Sequence, residues 1–201
     1  MNSEELRVKS EELRGMNIYL NDDIAHFDWQ AALPLLSEQR REQCLRFKHE
    51  LGRQTCAAAY LLLCEALRQE YGIVEKPLLE YGEHGKPAII GHPDIHFNLS
   101  HCREAAICVV SDQPVGVDIE SIHRYSESLA RYVMSDAEMD QILHSDNPAV
   151  VFTQLWTRKE AAVKRSGYGI CNDMKHVLEG LPFEISTVLN IEKHYVYSIT
   201  L

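Results

Sequence analysis

Nowhere in these 201 residues do eighteen apolar residues run together, so the sequence offers no segment suited to a membrane-spanning helix. Its start, Met1-Asn2-Ser3-Glu4-Glu5, lacks the basic and then apolar stretch of a secretory signal, and the expected address is the cytoplasm. Positive charge is scarce as well. Lys and Arg number 20 against 30 Asp and Glu, a net charge of −10, whereas a nucleic-acid binder usually carries a basic balance or stripe. Neither membrane nor nucleic acid is an expected partner, although a local basic pocket for a small phosphorylated ligand stays open. The cysteines Cys44, Cys56, Cys64, Cys102, Cys108 and Cys171 include no C-x-x-C pair and several sit in apolar text, where a thiol behaves as a small hydrophobe. Reduced core thiols are expected.

What is present suits one domain or two small lobes. Residues 3 to 14 hold a tandem repeat, Ser3-Glu-Glu-Leu-Arg-Val-Lys and Ser10-Glu-Glu-Leu-Arg, with too little apolar surface to pack; residues 1–15 are expected to be a disordered, dispensable appendage. Met16 to Leu20 reads as a first strand. Leu35 to Tyr71 has helical periodicity, as two helices, and Gly82, Gly85, Pro87, Gly91 and Pro93 then mark loops. Asp94 to Ser100 alternates, placing Ile95, Phe97 and Leu99 on one face and His96, Asn98 and Ser100 on the other, as in a half-buried strand. Strands follow at 105–110 and 115–120, helices at 126–145 and 148–166, and a hairpin at the end. The fold class is α+β in two similar lobes, 16–112 and 113–201, each a small, mostly antiparallel sheet packed with helices.

Two stretches carry candidate chemistry. In Gly116-Val117-Asp118-Ile119-Glu120, Asp118 and Glu120 share one strand face, read as an exposed patch, with Gly116 leaving room for a ligand. Paired carboxylates suit a hard divalent cation such as magnesium, which takes oxygen ligands and keeps waters and phosphates. In Trp156-Thr-Arg-Lys-Glu160-Ala-Ala-Val-Lys164, Glu160 and Lys164 lie one helical turn apart. Either stretch alone is better explained as solvated surface.

Together, about forty residues apart, they resemble the paired Gly-x-Asp and W-x-x-K-E-x-x-x-K signature of the 4′-phosphopantetheinyl transferases of the surfactin-synthetase-activating type. Tyr81-Gly-Glu-His-Gly85-Lys86-Pro87, Phe97-Asn-Leu-Ser100-His101 and Arg131-Tyr-Val-Met-Ser-Asp-Ala-Glu138 add to the likeness. The resemblance implies the two-lobed fold of that family and a monomer. It also implies a holo-[acyl-carrier-protein] synthase activity: the phosphopantetheine arm of coenzyme A is moved to a serine of an acyl, peptidyl or polyketide carrier protein, releasing 3′,5′-ADP. By the same resemblance Asp118, Glu120 and Glu160 hold magnesium, or manganese in its place. Asp118, Glu160 and Lys164 are the catalytic set, with Glu160 as ligand or base and Lys164 as charge stabiliser or proton donor. Coenzyme A would meet Gly85, Lys86, Pro87, Ser100, His101, Asp118, Lys164 and, on its 3′-phosphate, Arg40, or else Arg41 or Arg53. Glu138 matches a family position but reads as a helix cap. His49 and His96 read as structural.

Three rival readings remain: a zinc site of His92, His96, His101 and Cys102, a metal-dependent phosphohydrolase, and a non-catalytic coenzyme A-binding module.

Overall fold

The computed structural model describes residues 9–13, 15–122, 125–169 and 173–201. Among the described residues nine strands are present: β1 Lys9–Leu13, β2 Met16–Asn21, β3 Leu79–Tyr81, β4 Pro87–Ile89, β5 His96–His101, β6 Ala106–Ser111, β7 Val117–Ser121, β8 Ile185–Asn190 and β9 Tyr195–Thr200. Six α-helices accompany them: α1 Trp29–Ala32, α2 Glu38–Arg46, α3 Glu50–Tyr71, α4 Glu127–Val133, α5 Asp136–Leu143 and α6 Pro148–Ser166. Strand order is β1-β2-β6-β5 in the first sheet and β7-β9-β8 in the second, every pairing antiparallel, with β3 and β4 forming a separate hairpin. The expected α+β class with small antiparallel sheets is what the chain adopts.

Alternation along β2 and β6 explains how the layers stack. Tyr19, Ala106, Cys108 and Val110 turn to one face and pack with Ala57, Leu61 and other residues of α3. Met16, Ile18, Leu20, Ile107 and Val109 turn to the other and meet Val117, Ile119, Tyr197 and Ile199 of the second sheet. With both faces covered, every residue of β6 is buried. α6 then packs on the second sheet, where Thr157, wholly buried, shares a 2.8 Å hydrogen bond with Ser198. The order of layers is helix, sheet, sheet, helix.

Some expectations need correcting. The repeat segment enters the fold over Lys9–Leu13, paired with β2 from Lys9 opposite Leu20 to Leu13 opposite Met16; residues 1–8 and 14 lie outside the described residues. Main-chain pairing at a sheet edge needs no apolar run, so the hydropathy of the repeat gave no warning of it. The helix expected at 126–145 divides at Met134 and Ser135. There Ser135 starts α5 with a capping box, its hydroxyl accepting from Glu138 N–H while Glu138 accepts from Ser135 N–H at 2.7 Å. Gly116 does not leave room for a ligand: a β-carbon there would collide with α6, and the glycine lets helix and strand meet. Cys44, Cys56, Cys102 and Cys108 are buried free thiols and Cys64 is half-buried, while Cys171 lies outside the described residues. Among the described residues no helix is long and apolar enough to cross a membrane.

The two larger sheets meet through an unusual edge. β7 is the outer strand of its sheet, and its free N–H groups at Val117 and Ile119 would be unpaired in the interior. Asn98 Oδ1 accepts from Val117 N–H at 3.1 Å and Ser100 Oγ from Ile119 N–H at 3.2 Å. Side chains spaced by two on β5 thus stand in for a neighbouring strand. This buries Asn98 and Ser100, the face that alternation alone marks as the wet one.

Candidate active site

Asp118 leaves β7 on the face covered by α6 and is 4% exposed, so the acidic patch read from the sequence is half enclosed. From α6, Lys164 extends to Asp118 Oδ1 at 2.6 Å and to Ser100 Oγ at 2.9 Å. The Ser100 hydroxyl donates to the same Oδ1 at 3.0 Å. Asp118 Oδ1 therefore has two donors while its Oδ2, although buried, has no hydrogen-bond partner. Glu160 Oε1 is in the same position.

Two buried carboxylate oxygens without partners are costly unless something positive meets them. Burial and, after it, the charge of Asp118 raise the Glu160 pKa; Lys164 only partly opposes them. The two carboxylates are thus close enough to repel, and together they present bare hard-oxygen donors of the kind a divalent cation takes. Glu120, half-buried, opens on a neighbouring cleft with Tyr125, Phe152 and Trp156. No three His, Cys, Asp or Glu side chains among the described residues converge as a finished metal cage, which holds for the three acids and equally for His92, His96, His101 and Cys102. An ion needing four protein ligands finds none ready. One satisfied by two carboxylates, water and a ligand's oxygens fits Asp118 and Glu160.

Beside the acids lies a cleft of about 330 Å³, bordered by Gly85, Lys86 and Pro87 on one side and Glu160, Lys164 and Gly167 on the other. The hairpin loop that brings Lys86 here turns tightly, Gly85 N–H donating to Gly82 O at 2.9 Å, and Gly85 has φ 80, where side chains are strained. Lys86 Nζ donates to Arg165 O at 2.8 Å and Val115 O at 3.4 Å, so its charge sits at the C-terminal end of α6. Its pKa is lowered by burial and then by Arg165. Of the basic residues weighed, Arg40 is the one whose charge is felt at His101. Although part of His101 meets solvent, desolvation of the ring, then Lys164 and Arg40, hold its pKa down. Arg40 is braced by hydrogen bonds to Cys56 O at 3.0 and 3.2 Å and to Gln43 at 3.0 Å. Arg53 is instead laid over the Trp29 ring at 4.9 Å and donates to Phe47 O. Arg40 and Lys164, with the neutral ring of His101 close to both, make one side of the site electropositive, suited to a phosphate.

The sequence reading did not foresee Lys159. Wholly buried, it pairs with Glu138 at 2.9 Å and donates to the carbonyls of Met174 and Lys175 at 2.8 and 3.2 Å, tying α5 and the segment after α6 to the helix that carries Glu160. Its signal was present: a lysine amid the apolar positions of α6, with Glu138 the capping acid of a neighbouring helix.

A family model described as the 4′-phosphopantetheinyl transferase superfamily matches residues 114–195, which include both β7 and α6. Among similar proteins, 4′-phosphopantetheinyl transferase Sfp of Bacillus subtilis is 29% identical over 156 residues, 76% of this chain and 70% of that one. 4′-phosphopantetheinyl transferase psf-1 of Bacillus pumilus is 27% identical over 87% of this chain and 76% of its own length. 4′-phosphopantetheinyl transferase AcpT of Escherichia coli is 42% identical over a shorter stretch, 45% of this chain and 49% of its own. The segment that the 4′-phosphopantetheinyl transferase superfamily model matches holds Asp118, Glu120, Glu160 and Lys164, and the chain is similar to 4′-phosphopantetheinyl transferases of two Bacillus species over three quarters or more of its length.

Proposed function

We propose that this enzyme transfers the 4′-phosphopantetheine group of coenzyme A to a serine of an apo carrier protein and releases 3′,5′-ADP. The observation that carries the reading is the pair of partnerless buried oxygens, Asp118 Oδ2 and Glu160 Oε1, beside Lys164 on a cleft with an electropositive side. A pyrophosphate needs that combination of cation site and fixed positive charge. Magnesium, held by Asp118 and Glu160 with Glu120 at their side, would neutralise charge on the pyrophosphate.

The remaining work falls to side chains. The carrier serine attacks the β-phosphorus, its O–P bond forms, the bond to the α-phosphate bridging oxygen breaks, and 3′,5′-ADP departs. Glu160 takes the serine proton, directly or through water. Lys164 balances the charge that grows on the leaving phosphate. His101 and Arg40 meet the 3′-phosphate, and a bound phosphate would reverse the pressure that keeps His101 neutral. Gly85, Lys86 and Pro87 line the nucleotide end of the cleft.

Mass spectrometry of an apo carrier protein incubated with coenzyme A and magnesium tests this directly. The carrier should gain the phosphopantetheine mass. Release of free phosphopantetheine without modification of the carrier would mark a phosphohydrolase, and binding without turnover a coenzyme A module.

A further inference from the structure

Resemblance counts Ser100 among the residues that touch coenzyme A, but its hydroxyl is already fully used. A serine hydroxyl has one proton to give and two lone pairs to fill. Here the proton goes to Asp118 Oδ1 at 3.0 Å, and the lone pairs receive Lys164 Nζ at 2.9 Å and Ile119 N–H at 3.2 Å. The residue is 7% exposed. To bond a phosphate, the side chain would have to leave a buried lysine–aspartate pair or a buried amide unsatisfied.

We infer that Ser100 is a positioning residue. It belongs to one lobe and fixes, in the other, which oxygen of Asp118 faces Lys164 and which is left bare for a cation. Three bonds from three directions hold its oxygen. Through it, Asp118 Oδ1 is claimed by two donors, and the free valence falls on Oδ2. Without the hydroxyl, Lys164 is the remaining anchor for the carboxylate, Asp118 can rotate about its terminal bond, and the Ile119 amide loses its acceptor. The role is that of an outer partner orienting a metal ligand, where substitution typically costs 10–100-fold in metal affinity or activity as an order of magnitude.

This inference rests on the transferase reading of the site, and the test separates the two. Wild type and Ser100→Ala, both checked for fold by circular dichroism, are titrated calorimetrically with 3′,5′-ADP in the absence of metal and, separately, with Mn²⁺ alone. Their kcat and their KM for coenzyme A at saturating metal are then compared. If Ser100 positions Asp118, Mn²⁺ affinity and kcat each fall by about tenfold or more, while 3′,5′-ADP affinity and KM stay within about twofold, too little to be a lost hydrogen bond. The inference is overturned if 3′,5′-ADP affinity or KM is what changes, with Mn²⁺ affinity intact, or if nothing changes. Should Ser100→Ala not fold, Ser100→Cys, whose thiol is only a weak donor and acceptor, is measured in its place and should show the same split. Wild-type protein that binds neither 3′,5′-ADP nor Mn²⁺ would instead remove the transferase reading, whatever Ser100 does.

Discussion

A β-carbon on Gly116 would stand 2.0 Å from the carbonyl oxygen of Ala161 and 2.5 Å from the backbone nitrogen of Arg165. Both obstacles are helix backbone and cannot swing aside as a side chain can. The residues between them on α6 include Lys164, so the glycine sets how closely that lysine approaches Asp118. Gly116→Ala should cost about 1–3 kcal/mol through overpacking. It should also lower transfer activity more than its stability loss explains, because α6 must move. Thermal melting and steady-state kinetics check both; unchanged kcat in a folded variant would mean the contact is only structural.

Glu160 gives a prediction for the metal-free protein. Its folded pKa is raised, so the folded state holds the proton more tightly than the unfolded one. Its contribution is therefore fully present below the ordinary carboxylate pKa and is lost as pH rises through the folded value. Glu160→Gln, which removes the charge, should melt higher than wild type at pH 8 while losing transfer. The gap should close as pH falls toward 4.5, the usual glutamate value. Melting curves across pH measure this, and a constant gap would mean the side chain is not desolvated.

Lys164 and Asp118 form a pair in which the acid is 5% and the base 29% exposed at the side chain. Removing only the lysine strands a buried carboxylate, and Lys164→Met should cost roughly 3 kcal/mol. Adding Asp118→Asn should recover much of that loss. Denaturant melts of the two singles and the double form the cycle; additive losses would show that the pair is not coupled. None of the three variants should transfer.

Truncation before Gly15 removes β1. Leu13 packs on the core between the sheets and five residues pair with β2, so a loss of about 1 kcal/mol is expected, roughly 2–4 °C for a chain of this size. Calorimetry decides; an unchanged melting temperature would return the segment to the status of an appendage.

The site was legible where its chemistry lies in short signatures. Asp118, Glu160 and Lys164 announce themselves through strand and helix spacing, and the structure brings them to one place. Ser100 and Asn98 did not, because period-two alternation tells which face a side chain takes but not what covers that face. Here β7 of the second sheet covers it, a contact between different sheets. Lys159 stands among the apolar positions of α6, which marks it as buried, but nothing local says that Glu138, from another helix, would meet it. Gly116 was read as space for a ligand because the sequence does not say that α6 would come to occupy it.

The edge of β7, closed by two side chains of β5, also bears on where the two sheets could part. Val117 and Ile119, the amides so held, flank Asp118, which puts the fulcrum of any opening beside that carboxylate. For the cleft to widen there, Lys86 Nζ would have to release Arg165 O, 2.8 Å away, and Val115 O, 3.4 Å away and two residues from Val117. The Val117 and Ile119 amides, although on a strand with no strand beyond it, should exchange their hydrogens as slowly as those in the middle of a sheet.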